Sequence, residues 1–423
     1  MKNEKLLVHI AGLIIALLPV AWIYSFPIFI NNFGHFLLLF VVFPILFITN
    51  GKNKVGQTEK KYIKYFLYLI AISFIIPNFR GYGMASLELI MLIEFVIIGY
   101  YLIVNQKICD YFLKVYKSFA FFFTIYLLGQ FTFFTLFHIS VSGFIPFLSF
   151  YNAEGGFESV RETERMLHLS SVFTERAHFC QYVVPAIVLY LWDVGGKSRR
   201  KKLMVSLMVV SVFLSTSSNG IVSVSIVLAI YIINKYFYHV NVKHIYVGLF
   251  ILLAGGMFLM RSAFVSNVTY GLFIKDEGQS NSKAYVRMYR GFLLFYELPK
   301  EEKLIGCGWR NCESCIKSKN YEAYELLFMD NFEYMNSIAQ VLCYSGIIGF
   351  LLFVFFMISV IKLIKHMPGV LVIIVIIMFM SSSSILMTDM WFLYLAIIYS
   401  LKNIYEKEYL YIEANGKRDC HLP

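Results

Sequence analysis

The sequence has few charged residues and many apolar ones. Only 15% of its 423 residues are charged and 59% are hydrophobic, whereas an average soluble chain carries roughly 25% charged residues. So few charges cannot cover a water-soluble surface of this size. A soluble enzyme, a disordered protein and a small disulfide-rich secreted domain are therefore excluded, and the composition indicates an integral membrane protein.

No cleavable signal is expected at the N-terminus, because the apolar run after Lys5 continues past Trp22 without a small-residue cleavage site. We expect it to be the first membrane anchor. Apolar runs of about 20 residues recur along the chain and are broken by charges, Gly and Pro. They predict an all-α polytopic membrane protein with about 12 transmembrane helices. The predicted spans are 6–24, 33–49, 63–77, 84–105, 116–139, 177–193, 203–218, 220–234, 244–260, 336–361, 368–386 and 387–401.

The net charge of +11 could indicate nucleic acid, an anionic substrate or membrane topology. If the N-terminus is cytoplasmic, the cytoplasmic connections and both termini hold 23 basic residues, whereas the short outer connections hold only Arg80. The basic excess is therefore a topology signal, and no nucleic-acid partner is expected. We predict one membrane domain over 1–403 with two long outer loops, 140–176 and 261–335. A tail over 404–423 follows, and both termini are predicted to be cytoplasmic.

A charged stretch ends the first outer loop, at the start of the sixth predicted span. It contains Arg165, Glu175, Arg176 and His178. One interpretation is structural: Thr174 caps the helix and Glu175 interacts favourably with its positive end. The other is functional, because arginines at a membrane face are costly unless they meet anions, and their guanidinium groups pair well with phosphate oxygens.

The second outer loop contains a further arginine-bearing stretch. Arg287 and Arg290 are three residues apart, on one face if this piece is helical, and an apolar stretch follows them. Pro299 and then Gly306-Cys-Gly308 come next. An interfacial amphipathic helix whose arginines touch lipid head groups would have the same pattern.

A third stretch opens the tenth predicted span. It runs from Asn336 to Gly346 and Gly349. The two glycines by themselves indicate only close packing between helices.

In this order, the three stretches resemble the O-antigen polymerase and ligase superfamily, often called Wzy-type. Its members show an outer R…F-x-E-P stretch, then an arginine-bearing segment leading into P-x-x-G-x-G, then H-N followed after nine residues by G-x-x-G. The resemblance covers roughly residues 160–355. The matching stretches are Arg165…Phe173-Thr-Glu175, Arg287…Ile305-Gly306-Cys-Gly308 and Asn336…Gly346-Ile-Ile-Gly349, and Leu214-Ser215-Thr-Ser217-Ser-Asn-Gly220 resembles the family's L-S-x-S-R-x-G turn.

Three departures from the family pattern bear on function. Met335 stands where ligases of the superfamily have a histidine that they need for activity. Asn219 stands at or beside the arginine of the L-S-x-S-R-x-G turn, and Arg176 replaces the proline of E-P. The missing histidine counts against a ligase and favours a polymerase.

The resemblance implies a glycosyltransferase of the bacterial cytoplasmic (inner) membrane. It would polymerise oligosaccharide repeat units into O-antigen, as in lipopolysaccharide, or a related surface polysaccharide. The glycan would pass from undecaprenyl diphosphate to a sugar hydroxyl of the next unit. Because the leaving diphosphate gains negative charge, Arg287 is expected to stabilise it and Glu175 to act on the acceptor hydroxyl. The expected substrate-binding residues are Arg165, Arg176, His178, Arg290, Trp309 and Asn336.

The loops lack an Asp-x-Asp pair that would hold a divalent metal, so no metal and no cofactor are expected. The implied partners are the undecaprenyl-diphosphate-linked oligosaccharide, membrane lipids, a chain-length regulator and a flippase. Two alternatives remain. One is an O-antigen ligase, and the other is a lipid-linked oligosaccharide flippase or transporter, which predicts internal repeats and a charged cavity between spans.

Three of the seven cysteines, Cys307, Cys312 and Cys315, share the second outer loop. The last two have C-x-x-C spacing, but zinc would need a fourth ligand and no histidine lies nearby. Outside the cytoplasm we expect a disulfide between two of the three. The remaining cysteines are scattered and are predicted to be inert; they are Cys109, Cys180, Cys343 and Cys420.

Overall fold

The structure, a computed structural model, describes part of the chain and is mostly helical there. Three helices are long and apolar enough to cross a membrane, at Glu4–Ala21, Lys107–Phe137 and Ile338–Phe355. The chain is thus a helical membrane protein. The third, fourth, ninth, eleventh and twelfth predicted spans and the C-terminal tail lie largely or wholly outside the described residues, so the number twelve stays a prediction. The described residues are 2–25, 33–49, 64–65, 67–68, 71–72, 106–145, 148, 160–163, 166–194, 200–236, 291–308, 311–312, 315–316, 337–363, 393–394, 396–398, 400–401 and 404.

Two short strands interrupt the helical pattern within the first predicted outer loop. They pair as an antiparallel hairpin in which Val160 lies opposite Leu169. Among the described residues this hairpin departs from the all-helical expectation. The strands are β1 (Val160–Thr163) and β2 (Met166–Leu169). The helices are α1 (Lys2–Ala21), α2 (Phe33–Leu37), a π-helical turn (Leu38–Val42), α3 (Phe43–Thr49), α4 (Gln106–Phe137), α5 (Arg176–Leu191), α6 (Lys201–Leu214), α7 (Ser218–Tyr236), α8 (Gly291–Glu297), α9 (Lys300–Ile305) and α10 (Ser337–Leu363).

Helix α4 begins ten residues before the predicted span of 116–139. The lysines of this stretch favoured a loop in the sequence analysis. No glycine or proline interrupts residues 106–118, so the stretch is helical. Those lysines have partners at this end of the bundle. Lys107 Nζ lies 2.6 Å from Glu4 Oε1, and Lys117 Nζ donates a hydrogen bond of 2.8 Å to the carbonyl of Val194.

Helix α5 is the central helix of the described bundle. Every residue from Phe179 to Leu191 is buried, as expected for a short helix that is apolar on all sides. It packs against α4, α6 and α7. Tyr182 joins it to two neighbours, because its carbonyl accepts a hydrogen bond of 2.5 Å from Tyr116 of α4 and its hydroxyl donates one of 2.6 Å to Ala16 of α1.

The contacts separate the bundle into two ends. The lysine end holds the ion pairs Lys107–Glu4 and Lys201–Asp193 (2.7 Å), together with Lys117. The loop end holds residues 138–145 and 170–175. Helices α1 and α4 run in the same direction, since both begin at the lysine end and both are followed by loop-end residues. Helix α5 runs in the opposite direction and brings its first turn to the loop end.

Candidate functional site

At the loop end, the side chain of Gln130 fastens two loops to α4. Its Nε2 donates hydrogen bonds to the carbonyls of Val141 (2.9 Å) and Ser171 (3.1 Å). The Ser171 hydroxyl in turn donates a bond of 2.8 Å to the carbonyl of Phe123. Gln130 and Ser171 are both buried. These bonds fix the segment that leads into α5.

Tyr24, just beyond α1, anchors one of these loops. Its hydroxyl accepts a hydrogen bond of 3.1 Å from the backbone N–H of Ile145. Burial of the ring raises the pKa of the Tyr24 phenol above its ordinary value, an effect that the bond from Ile145 partly opposes. Tyr24 thus ties the segment after α1 to the loop that follows α4.

Glu175 is the N-cap residue of α5, with extended backbone angles and an exposed side chain. The expectation that Thr174 caps the helix is wrong, because its hydroxyl shares a hydrogen bond of 3.1 Å with Nδ1 of His178. The Glu175 carboxylate makes no hydrogen bond to the first-turn N–H groups. It therefore stands at the positive end of the helix and faces outward.

Arg176 connects the start of α5 to the turn between α6 and α7. Its half-buried guanidinium donates a hydrogen bond of 2.7 Å to the hydroxyl of Thr216. One turn further along α5, Cys180 Sγ lies 3.2 Å from the hydroxyl of Ser215. Arg176 and Cys180, which follow the resemblance stretch 165–175 in the chain, thus contact the stretch 214–220.

Two residues at this site have strained backbones. Ser171 has a φ of 57° and Thr216 a φ of 55°. A positive φ is uncommon for residues other than glycine and is a clear outlier for a β-branched one such as threonine. Strain of this kind persists only where surrounding contacts impose it and is often found at functional sites. Here the strained turn presents the Thr216 hydroxyl to Arg176.

The other two resemblance stretches also meet, at a contact that we call the glycine junction, formed by residues 306–308 and 343–346. The backbone N–H of Cys307 donates to the carbonyl of Cys343 (3.0 Å), and that of Gly308 donates to the carbonyl of Tyr344 (2.9 Å). Gly346, with φ 64° and ψ −168°, interrupts α10. The interruption deprives these carbonyls of their helical donors, and residues 307 and 308 replace them.

Glycine is required on both sides of this junction. Gly306 has a φ of 84°, and a Cβ there would overlap the carbonyl group of Tyr344. A Cβ on Gly346 would overlap the carbonyl group of Leu304. The overlapping atoms belong to backbone, which cannot swing aside as a flexible side chain does. The glycine pattern therefore specifies a close approach between α9 and α10.

Four cysteines of this region are buried. Cys307, Cys312 and Cys315 come from the loop, and Cys343 comes from α10. The expected disulfide within the loop is wrong for this structure, in which no disulfide joins the described cysteines. Burial raises the pKa of the Cys312 thiol well above its ordinary value, and the thiols of Cys307 and Cys343 beside it raise it further.

Of the predicted site residues, the structure brings Glu175, Arg176 and His178 together in the first turn of α5. The partners Gln130 and Thr216 were not predicted. An amide within a long apolar run is a signal that could have singled out Gln130, whereas nothing in the sequence distinguishes Thr216 from its neighbours. The other predicted site residues lie outside the described residues; they are Arg165, Arg287, Arg290, Trp309 and Asn336.

Comparison with known proteins adds no assignment. No model of a known protein family matches the chain, and a search of curated proteins finds no significant match. Within the part of the chain that the structure describes, no group of three or more His, Cys, Asp or Glu side chains is arranged to hold a metal ion. Motifs and contacts are therefore the basis for a functional proposal.

Proposed function

We propose that the protein polymerises lipid-linked oligosaccharide repeat units into a surface polysaccharide at the outer face of the bacterial cytoplasmic membrane. The observation that carries this proposal is the pairwise contact of motifs that are far apart in the sequence. Gly306 and Gly308 of the second stretch meet residues 343–346 of the third. Arg176, at the position of the family's proline, bonds to Thr216 of the L-S-x-S-R-x-G-like turn. A site built from these motifs requires such contacts.

The two ends of the bundle support the proposed orientation. Residues assigned to the cytoplasm by their positive charge, such as Lys107 and Lys201, lie at the lysine end with Glu4 and Asp193. The first turn of α5 and the strained turn at Thr216 lie at the opposite, loop end. In the proposed orientation, the start of α5 and the Thr216 turn lie on the side where a lipid-linked glycan would be presented after translocation.

The proposed reaction exchanges one glycosidic bond for another. The bond between the anomeric carbon of the donor glycan and its diphosphate breaks, and a bond to a hydroxyl of the next lipid-linked unit forms. The acceptor hydroxyl loses its proton, and undecaprenyl diphosphate leaves with increased negative charge. Positive charge fixed in advance beside that leaving group would lower the barrier more than any other available device.

We assign this charge to Arg287, with Arg165 and Arg290 in support, on the basis of their motif positions. Arg176 is held in place by Thr216 at the same predicted face. The exposed carboxylate of Glu175 has no capping bond that would occupy it, so it suits a role in positioning the acceptor hydroxyl or accepting its proton.

The test is complementation of a strain that lacks the chromosomal gene, with surface glycan resolved on a gel. We expect the deletion strain to show single repeat units and the wild-type gene to restore a ladder. Arg287→Ala should abolish the ladder at normal protein level, and Arg287→Lys should fail as well if paired hydrogen bonds to phosphate are needed. Arg200→Ala is the matched control, because Arg200 is exposed beside the lysine end and should be dispensable.

Three other results would contradict the proposal. A deletion strain without any surface glycan would indicate a flippase. Polymer that accumulates on its lipid carrier without being attached would indicate a ligase. A normal ladder with Arg287→Ala would remove the role assigned to that arginine.

A further inference from the structure

Helix α8 has apolar side chains on two faces. One face, which includes Gly291 and Leu294, is buried, and the helix packs against α10. The other face is exposed, with 37% of the surface of Phe292, 40% of that of Leu293 and 71% of that of Tyr296 accessible. Neighbouring exposed apolar side chains of this kind mark a contact surface rather than a face that lies in water.

The contacts with α10 show how far along that helix α8 begins. The Cys343 thiol donates a hydrogen bond of 3.4 Å to the carbonyl of Gly291. The backbone N–H of Cys307, just after α9, donates to the carbonyl of the same Cys343. The start of α8 and the end of α9 therefore lie at one level of α10, and the two helices form a hairpin over residues 291–305, which we call the α8–α9 hairpin.

This level lies within the apolar segment of α10. The part of α10 that is long and apolar enough to cross a membrane begins at Ile338. At 1.5 Å per residue, Cys343 is about 8 Å further along the helix axis. Interfacial helices bury their apolar faces roughly 5–10 Å into the boundary between head groups and acyl chains. The two ends of the α8–α9 hairpin are thus at the depth of that boundary.

Polarity changes along the hairpin in the direction that this depth requires. Leu293, near the start of α8, and Leu304, near the end of α9, are apolar and exposed. The first residues of α9, Lys300 and Glu301, are charged and exposed, whereas the next acid, Glu302, is covered by protein. The apolar ends suit acyl chains, and the charged turn suits head groups and water.

Tyr296 and Lys303 join the two helices between these levels. The Lys303 ammonium nitrogen lies 5.0 Å from the centroid of the Tyr296 ring. Tyrosine rings are enriched at membrane–water interfaces, and lysine side chains there keep their stems against apolar surface while the charge reaches polar surroundings. The pair is therefore of the kind found at head-group level.

Helix α10 has an exposed apolar stripe of its own beyond Gly346. Its members recur at helical spacing, as expected for the lipid-facing side of a membrane-crossing helix. The bilayer that covers this stripe reaches the hairpin, which packs against the same helix. The stripe consists of Ile347, Ile348, Leu351, Phe355 and Ile358.

We propose that the α8–α9 hairpin is a membrane-surface element whose exposed apolar face is covered by phospholipid at the boundary between head groups and acyl chains. The long loop predicted over 261–335 is thereby attached to the bilayer through residues 291–305 as well as through its two ends. The proposal rests on burial and contacts alone, so it does not depend on the proposed polymerase activity.

The experiment measures the depth of a fluorescent label in phosphatidylcholine vesicles that contain the full-length protein. The label is attached to a cysteine introduced by Leu293→Cys or Glu301→Cys, in a protein that carries Cys420→Ser because the six described cysteines are buried. Quenching by a nitroxide on the phospholipid is compared with quenching by iodide in the water. Ile348→Cys, in the exposed stripe of α10, provides the lipid reference.

We expect the label at position 293 to emit at shorter wavelength than the label at 301. Its ratio of nitroxide to iodide quenching should be several-fold higher and close to that of the label at 348. The label at 301, in the same hairpin and equally exposed in sequence register, should be quenched mainly by iodide. The protein with Cys420→Ser alone measures labelling of the native cysteines.

Three results would overturn the proposal. Quenching at 293 mainly by iodide would place the hairpin in water. Protection of 293 from both quenchers would mean that protein, such as a second copy of the chain, covers the face. Equal nitroxide quenching at 293 and 301 would contradict the change of depth along the hairpin. Phe292→Cys replaces Leu293→Cys if size-exclusion chromatography shows that the latter aggregates, since Phe292 belongs to the same exposed face.

Discussion

The start of α5 and the glycine junction are stabilised by different kinds of hydrogen bond. At the start of α5, side chains make the long-range bonds, as Gln130 does to two loop carbonyls and Arg176 to Thr216. At the glycine junction, backbone amides bond directly to backbone carbonyls across segments that approach too closely for a Cβ. Where side chains make the bonds, each substitution removes only the bonds of that side chain. Where backbone segments are in direct contact, a single methyl group added to a glycine should disrupt the whole contact.

The largest effect is expected for Gly346→Ala. The methyl group would overlap the Leu304 carbonyl and impose a positive φ on alanine, so we expect a loss of about 3–5 kcal/mol in the free energy of unfolding. The measurement is thermal unfolding in detergent, followed by tryptophan fluorescence. Gly129→Ala is the control, because a Cβ there meets no atom within 4 Å. Equal midpoints for the two variants would refute the backbone contact.

Gln130→Leu should have the next largest effect. It removes two hydrogen bonds and leaves the carbonyls of Val141 and Ser171 without this donor in a buried setting, which costs about 2–3 kcal/mol. Thr132→Val is the control two residues away, because the exposed Thr132 hydroxyl bonds only within its own helix, to the Leu128 carbonyl. If both variants unfold at the wild-type midpoint, the polar contact at the loop end contributes nothing to stability.

The Cys312 thiol predicts a pH dependence for the reduced protein. Because its pKa is raised on folding, the stabilisation is complete below the ordinary thiol pKa and is lost as the pH rises towards the folded value. Between pH 7.5 and 10 we expect a loss in the free energy of unfolding that is absent in Cys312→Ser. Urea unfolding with reductant at both pH values measures it. Parallel decreases in the two proteins would show that other groups cause the loss.

The smallest effect is expected for the pair Arg176 and Thr216. A double-mutant cycle with Arg176→Met and Thr216→Val should give a coupling free energy of about 1 kcal/mol, because the guanidinium is only half-buried. The same cycle with Thr132→Val in place of Thr216→Val should be additive. A coupling near zero for the first cycle would mean that the bond only positions Arg176 without stabilising the fold.

The sequence predicted the helical elements of the described bundle well where apolar runs ended at glycine, proline or a turn. The sixth, seventh and tenth predicted spans correspond to α5, α6 and α10 within a few residues. The start of α4 was predicted too late because a lysine-rich stretch was interpreted as a loop. These lysines lie on the helix, where Glu4 and the Val194 carbonyl are their partners. Charge marks a membrane boundary and not the end of a helix.

The candidate site was predictable only in part. Glu175, Arg176 and His178 are close in sequence, so one helical turn places them together without further information. Thr216 and Gln130 reach the same site from other elements. The buried cysteines illustrate the same limit. The sequence groups Cys307, Cys312 and Cys315 in one loop, but it does not indicate that the carbonyl of Cys343 in α10 accepts a hydrogen bond from the backbone N–H of Cys307.

The sequence by itself determined the class of protein, since 59% hydrophobic and 15% charged residues are compatible with a membrane and not with a water-soluble surface. It also contains the glycine and arginine motifs that resemble those of the polymerase and ligase superfamily. Only the tertiary structure decided which motifs meet. The physical reason is that an apolar helix face packs about as favourably against lipid as against another helix. Partners are therefore selected by close backbone approach and a few polar bonds between distant residues, which no local pattern encodes.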